Sequence, residues 1–599
     1  MFDRETHFLS KAQNLKSPTS AESDDSAWQV AFDDAPDKSE ADRSIRLAAL
    51  WFASQSWALR QSLNPGLDAL GGRVSVILAV AALNREFLTA SQIAKEGVTQ
   101  AQAKGALAFD HMVARPLDGG PPGQNISFDD VVENAVDAAE SWLFDALRAP
   151  VEGSPAPNDL APIAVRAMKR YSVQHALNDL WNEAFWEGWR LLSDGDELVW
   201  SPGDRGLATL IRAWQAHQQT NFMNFAWIDK SAWADMTPEA RQRRALARTV
   251  IEVGRSGNRR KIKVGRPSCR SRRAPQYVLE RAGLEGSYLA TFLDRPFPND
   301  VRLSCRLMLQ AWHIILDLAR LLMKPVSQST SLSEAEAEML ALVVNRRELA
   351  DLLEQALAID VNTAEAILAL LSFHAKSPGE KGHRGLWAAP LVPTPGQDKF
   401  ALALPALATG HPLRKVEAWL GRGGLDDTLS RNTRGDVYEA EFRALVREKL
   451  TANPFMSEAS CAQHAVKKSA DFGEEIDLLI RLGGLLIVGE VKCLVTPADS
   501  HERFNYFNKL RKASRQALDK AALLHKTPGH CRSRARYFGG DCEGAAVRAA
   551  GCHEPRLRVL AGYRWVLCDG GRFSAQISWV RGTRHWDGSR PPNGSAGAR

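Results

Sequence analysis

Two carboxylates and a lysine stand near one end of an otherwise apolar stretch, "EEIDLLIRLGGLLIVGEVKC", residues 474–493. Gly483-Gly484 separates two apolar runs, and a Gly-Gly pair suits a two-residue hairpin loop. With that loop Leu482 pairs with Leu485, and counting back along both strands sets Asp477 directly opposite Glu490. Period-two alternation puts Ile476, Leu478, Ile480, Leu482, Leu485, Ile487 and Val491 on one face. The other face carries Leu479 and Val488 mid-strand, with Asp477, Glu490 and Lys492 gathered at one end. The same register makes Glu475 a salt-bridge partner for Lys492. Carboxylates opposed across a strand pair have Cβ atoms about 5 Å apart and destabilise the sheet, more so when partly buried. A divalent cation reverses that sign: both can converge on one Mg²⁺ at about 2.1 Å, with Mn²⁺ as the alternative ion. Lys492 can then hold a water or a phosphate oxygen beside the metal. This set suits phosphodiester hydrolysis, in which a metal polarises the phosphoryl oxygen and acidifies a water while lysine offsets charge in the transition state. The spacing D-x12-E-x-K is a weak signal by itself, and its rival is a strand end whose acids are simply hydrated.

Two helices must flank this hairpin. "TRGDVYEAEFRALVREKL" before it is amphipathic, with Tyr438, Phe442, Leu445 and Val446 on its apolar side. "HERFNYFNKLRKASRQALDKAALL" after it is strongly basic: ten Lys/Arg lie between Glu502 and Arg536, opposed only by Glu502 and Asp519. A nucleic-acid backbone would run there, with Lys509, Arg511, Lys512, Arg515 and Lys520 as phosphate contacts. Such contacts carry no sequence information. Further strands are expected in "RLRVLAGYRWVLC" and "RFSAQISWV".

Asp477 followed by Glu490-Val491-Lys492 on the next strand resembles the PD-(D/E)XK nuclease superfamily, with its restriction-endonuclease-like fold. The helix-first layout is similar to the Mrr-like and related restriction branches. The resemblance covers residues 431–524, under a sixth of the chain, and its motifs are short. It implies that Asp477 and Glu490 are metal ligands, that the Val491 carbonyl is another, and that Lys492 is the catalytic lysine. It implies a helix carboxylate that helps hold the metal, for which Glu439 fits best and Glu441 is the rival. It also implies a glutamine near the site, matched by Gln516. Ile476 stands where the family's name has proline. A metal-dependent nuclease acting on DNA, in bacterial defence or restriction, is the function the resemblance implies. The alternative is a catalytically inactive nuclease-like domain that binds nucleic acid or protein.

The rest of the chain bounds this reading. At 599 residues it is too long for one core. The expected fold is multidomain: a mostly α-helical N-terminal region and a C-terminal α/β domain. Residues 1–45 are polar, acidic and expected to be disordered. Residues 46–375 repeat apolar residues at three and four, as helices do, and their crowded tryptophans are expected to pack helices. Within them "RSGNRRKIKVGRPSCRSRRAP" has nine basic residues and no acidic one, and its Gly and Pro suggest a loop. Arg259, Arg260, Lys261 and Lys263 there are candidate phosphate contacts. Residues 376–580 form the expected nuclease domain, opened by two short extended segments around a Pro-Gly turn, and 581–599 a loose tail. Eight cysteines without paired spacing, no signal-peptide layout and no clean apolar span suggest a cytoplasmic protein without a membrane segment. Cys531, Cys542, Cys552 and nearby histidines do not match zinc spacing, and no Walker A pattern occurs. A homodimer or an unidentified protein partner would engage the helical region.

Overall fold

The computed structural model describes residues 6–526, apart from 63–64, 104–127, 195–196, most of 204–235, 257–258, 268–275, 324–330, 375–384, 426–432, 456–458, 469–472, 483–484, 495–496 and 498. The expected late strands, the Cys/His group from residue 530 onward and the C-terminal tail lie outside them, as do Trp214, Trp227 and Trp233. The described chain is mostly helical, with small antiparallel sheets.

Residues 6–45 depart from the expected disorder. They form α1 (His7–Ala12), α2 (Asp25–Asp33) and the start of α3 (Glu40–Gln61). The acidic and polar residues act as caps rather than as solvated coil. Asp24 accepts the Ser26 and Ala27 amides, and Ser39 and Asp42 form a reciprocal capping box. Phe8, Trp28 and Phe32 pack with Phe52, Trp181 and Phe185 in one buried cluster. The Trp28 indole N–H donates to the Lys16 carbonyl at 3.0 Å.

After the short helix α4 (Pro65–Asp68), α5 (Gly72–Ala103) packs against α6 (Phe128–Arg148) and α7 (Ala161–Asn182). Val76, Ile77, Val136, Trp142 and Leu143 fill their shared core. The segment Gly72–Gly97 is long and apolar enough to cross a membrane by length and composition, and 61% of its most apolar window is buried against the rest of the molecule. A π-helical turn, Glu183–Glu187, follows α7 and leads into the hairpin β1 (Trp189–Asp194) and β2 (Glu197–Pro202).

The next cluster forms around α10 and takes in chain from well beyond residue 376. Its elements are α8 (Pro238–Arg244), the hairpin β3 (Thr249–Ser256) and β4 (Arg259–Gly265), α9 (Gln276–Glu285) and α10 (Cys305–Leu322). They continue with α11 (Glu334–Leu340), β5 (Val344–Asn345), α12 (Arg346–Leu357), α13 (Val361–Leu371), β6 (Leu391–Pro393), β7 (Lys399–Leu402), α14 (Leu404–Thr409) and α15 (Pro412–Gly423). Of the basic segment read as a loop, residues 255–256 and 259–265 are thus strand, in β3 and β4. The two extended segments around the Pro-Gly turn exist, but they join β5 in the order β5-β7-β6. Leu391, Phe400, Leu402, Val416 and Trp419 lie in the same cluster as Trp312 and Ile315. The fully buried Asn84 of α5 donates to the Leu340 and Leu402 carbonyls and accepts the Leu404 amide. Lys415 of α15 is buried against Glu280 of α9, 2.6 Å from its carboxylate, and His313 of α10 meets the same oxygen at 3.0 Å. Residues 385–425, expected in the C-terminal domain, therefore pack with the helical body.

The remaining described chain is a compact module: α16 (Thr433–Ala452), β8 (Ala459–Cys461), β9 (Leu478–Leu482), β10 (Leu485–Gly489) and α17 (Ser500–Lys526). Its antiparallel sheet has the order β10-β9-β8. Tyr438, Phe442, Val446 and Leu450 of α16 cover one face, against Leu478, Ile480, Ile487 and Val491. Leu523 of α17 covers the other, against Ile476, Leu479, Leu486 and Val488.

The start of α17 docks on the helical body. Trp186 meets His501 and Phe504, with ring centroids 4.3 and 5.2 Å away, and Arg503 pairs with Glu187. Burial, with Glu187 nearby, pushes the Glu183 carboxyl up to about 7. A raised carboxyl pKa gives stability that is complete below the unfolded value of about 4.5 and is lost as pH rises through about 7. Glu183→Gln should remove that loss, on the order of 2–3 kcal/mol. Melting midpoints from pH 5 to 8 should fall more steeply for the wild type than for the variant, and parallel curves would refute this role for Glu183.

Candidate active site

The hairpin register pairs Leu485 with Leu482, Ile487 with Ile480 and Gly489 with Leu478. Asp477 and Glu490 are the next residues on the two strands. Gly489 lets the strands close beside them, since an added Cβ would sit 3.1 Å from the Leu478 side chain. Strict alternation ends at Asp477. Ile476 bridges Val466 and joins Leu479 on the α17 face, not the α16 face expected from the two-residue period. Asp477 is a bend residue, and its Oδ2 accepts the Val491 amide at 3.1 Å, a side-chain substitute for a ladder hydrogen bond. The Arg443 guanidinium of α16 donates to the Asp477 carbonyl at 2.9 Å.

Both carboxylates are withdrawn from water: the Asp477 side chain is 9% exposed and that of Glu490 4%. Lys492 lies 2.7 Å from Glu490 Oε1 and 3.9 Å from Asp477 Oδ2. Lys520 of α17, itself 5% exposed, donates to Glu490 Oε2. Burial, reinforced by Glu490, raises the Asp477 pKa above the ordinary aspartate range. Burial opposes the charge on Lys492, but the Glu490 carboxylate together with Asp477 and Glu439 outweighs it, so its pKa rises.

The helix carboxylate that faces this pair is Glu439. Burial and the nearby Asp477 push it up to about 7, and Arg443 stands 3.9 Å from it. Glu441 instead hydrogen-bonds with Thr291 of the helical body. Two further expectations are corrected. Glu475 pairs with Lys467 at 2.6 Å rather than with Lys492, because the chain before Asp477 bridges the 466 strand edge instead of continuing along β10. On α17 the side chain that reaches the site is Lys520, one turn beyond Gln516; among the described residues no hydrogen bond joins Gln516 to these carboxylates.

Lys520 is consequently not a surface phosphate contact. Lys509, Lys512 and Arg515 are exposed on α17, and Arg511 is half-buried. Of the four residues singled out in the basic segment, Lys261 and Lys263 are exposed. Arg260 is bound to Glu348 and to the Val343 carbonyl, and the Arg259 side chain lies outside the described set.

The donors around Asp477 are hard oxygens: two carboxylates, a nearby third and the backbone of Val491. That chemistry fits Mg²⁺ or Mn²⁺ and not a thiophilic ion. Among the described residues no three His, Cys, Asp or Glu side chains are grouped as a metal-holding set, and both Glu490 oxygens are engaged by lysines. A cation here would take over contacts that Lys492 and Lys520 now make.

No family model matches the sequence, and no curated protein and no solved structure matches it.

Removing Lys520 would leave buried Glu490 with one cationic partner, a loss of about 2 kcal/mol. In Lys520→Met, amides of residues 478–489 should exchange about 30-fold faster with solvent. Lys509→Ala, on the exposed face, should leave them unchanged. Equal exchange in both variants would show that Lys520 does not hold the site.

Proposed function

We propose that residues 433–526 are the described part of a metal-dependent nuclease domain of the PD-(D/E)XK type, which hydrolyses phosphodiester bonds in nucleic acid, with DNA as the favoured substrate. The observation that carries this reading is the pair of buried carboxylates, Asp477 and Glu490, joined by Lys492 where a β-hairpin ends. The order helix, three strands, helix around them supports it, as does the near side of α16 presenting Glu439.

Asp477, Glu490 and the Val491 carbonyl would hold the cation, with Glu439 completing the set. A bound Mg²⁺ would supply Lewis acidity to a phosphoryl oxygen and lower the pKa of a water. Lys492, once released from Glu490, donates to a phosphate oxygen or to the attacking water and offsets charge as the phosphorane forms. Arg443 positions Asp477 through its carbonyl. Lys520 holds Glu490 in place through its Oε2 while the site is free of cation. Exposed Lys509, Lys512 and Arg515 on α17 would contact the backbone of the bound strand, with Arg511 beside them. Cutting both strands with one site per chain favours a dimer, and defence or restriction is the setting the resemblance implies.

The double lysine clamp on Glu490 supports a second reading, a nuclease-like module that uses these charges only for structure and binds nucleic acid without cutting it. Plasmid and linear DNA incubated with Mg²⁺, Mn²⁺ or EDTA separate the two. Metal-dependent cutting that falls at least about 100-fold in Asp477→Asn and Lys492→Met supports the nuclease. DNA binding without cutting, by the full chain and by a fragment starting at residue 433, supports the binding module.

A further inference from the structure

The β3–β4 hairpin has one face in the body's core and one face open. Val250 is buried, and Val253, Ile262 and Val264 pack beside it against the α10 cluster. Thr249 donates to Asp317 at 2.6 Å, and Arg260 is tied to Glu348. The strand pair is thereby fixed to the body as a rigid ribbon. On β4 the alternation is clean: Lys261 and Lys263 are exposed while Ile262 and Val264 turn inward. Residues two apart on a strand are about 7 Å from one another, close to the spacing of successive phosphates. Lys261 stands opposite Gly254, where an added Cβ would meet nothing within 4 Å, so the surface beside it is bare. Arg248 and Arg266 flank the open end of the ribbon, one residue outside the Thr249–Gly265 pair, and both are exposed. Lys261, Arg248 and Arg266 make no ion pair among the described residues. Among the described residues the one acid on this face is Glu252, 3.4 Å from Lys263 in an exposed and therefore weak pair.

We infer that this ribbon face is a second nucleic-acid surface, which holds the phosphate backbone of duplex DNA through Arg248, Lys261, Lys263 and Arg266 without reading its sequence. Charge complementarity argues for a polyanion. Duplex is preferred over single strands because, among the described residues, the outer face carries Ile251, Glu252, Gly254 and the lysines, and no aromatic ring for a base to stack on. The ribbon is packed on one side, so it lies along the backbone and does not enter a groove. The inference shares with the nuclease reading only the chemistry of the partner, and it is tested without cleavage.

Fluorescence anisotropy in EDTA, with a labelled 30-base-pair duplex at several salt concentrations, compares the full chain with the triple variant Arg248→Ala, Lys261→Ala, Arg266→Ala. Affinity at low salt should fall at least tenfold, and the slope of log K against log salt should become shallower by about 2–3. The charge-keeping variant Arg248→Lys, Lys261→Arg, Arg266→Lys should bind like the wild type. A triple variant with wild-type affinity and slope, a wild-type chain that does not bind duplex, or tighter binding of a single strand of equal length would each overturn the inference. Loss of cutting with intact ribbon-dependent binding would count against the nuclease reading alone.

Discussion

Two carboxylates buried side by side must be neutralised, and the C-terminal module is arranged around that requirement. Asp477 and Glu490 leave water where the hairpin closes, and their mutual repulsion in a poorly solvated place would open the strands. Three different groups answer it. The Val491 amide serves Asp477, Lys492 reaches back from the same strand, and Lys520 comes in from α17. The first two come from the chain directly after β10 and the third from α17, so the site's charge balance also fixes how that helix packs on the hairpin.

That dependence links the site to the body. Lys520 sits near the far end of α17, whose first turn is held by Trp186, Glu187 and, through Glu502, Arg414 of α15. On the other side Tyr438 of α16 meets Tyr288 edge-on, with centroids 5.4 Å apart. Both helices that flank the sheet are thus gripped by the body, and a change in their docking would be felt at Glu490. The charges of the body itself serve a separate end: Lys415, Glu280 and His313 lock α15 to α9 and α10 inside a core that includes Trp312 and Trp419.

What the sequence made legible follows physical rules of short range. The register of the hairpin was readable because Gly-Gly and a two-residue period leave one pairing that buries the apolar faces. The two flanking helices were readable from their periodicity. β8 was not, since "ASC" has neither β-branched bulk nor alternation. Lys520 looked like one more solvated cation in a basic helix, and only the packing of α17 reveals that it is buried. The opposite error came at the N-terminus, where acidic caps resembled a disordered tail while Phe8, Trp28 and Phe32 carried the packing. Segments 391–393 and 399–402 were recognised as extended, but nothing local tells a strand which core it will join. In the basic segment the alternation of Lys261, Ile262, Lys263 and Val264 marked a strand that its glycines disguised.

The central claim is that the Asp477–Glu490 pair holds a hard divalent cation. Its most direct test is Mn²⁺ binding, followed by electron paramagnetic resonance at fixed pH, in the wild type and in Glu490→Gln. The account predicts saturable binding at one site per chain, displaced by Mg²⁺ and lost in the variant. Absence of saturable binding, or the same binding with Gln at position 490, would contradict it and leave the carboxylates with a purely structural role.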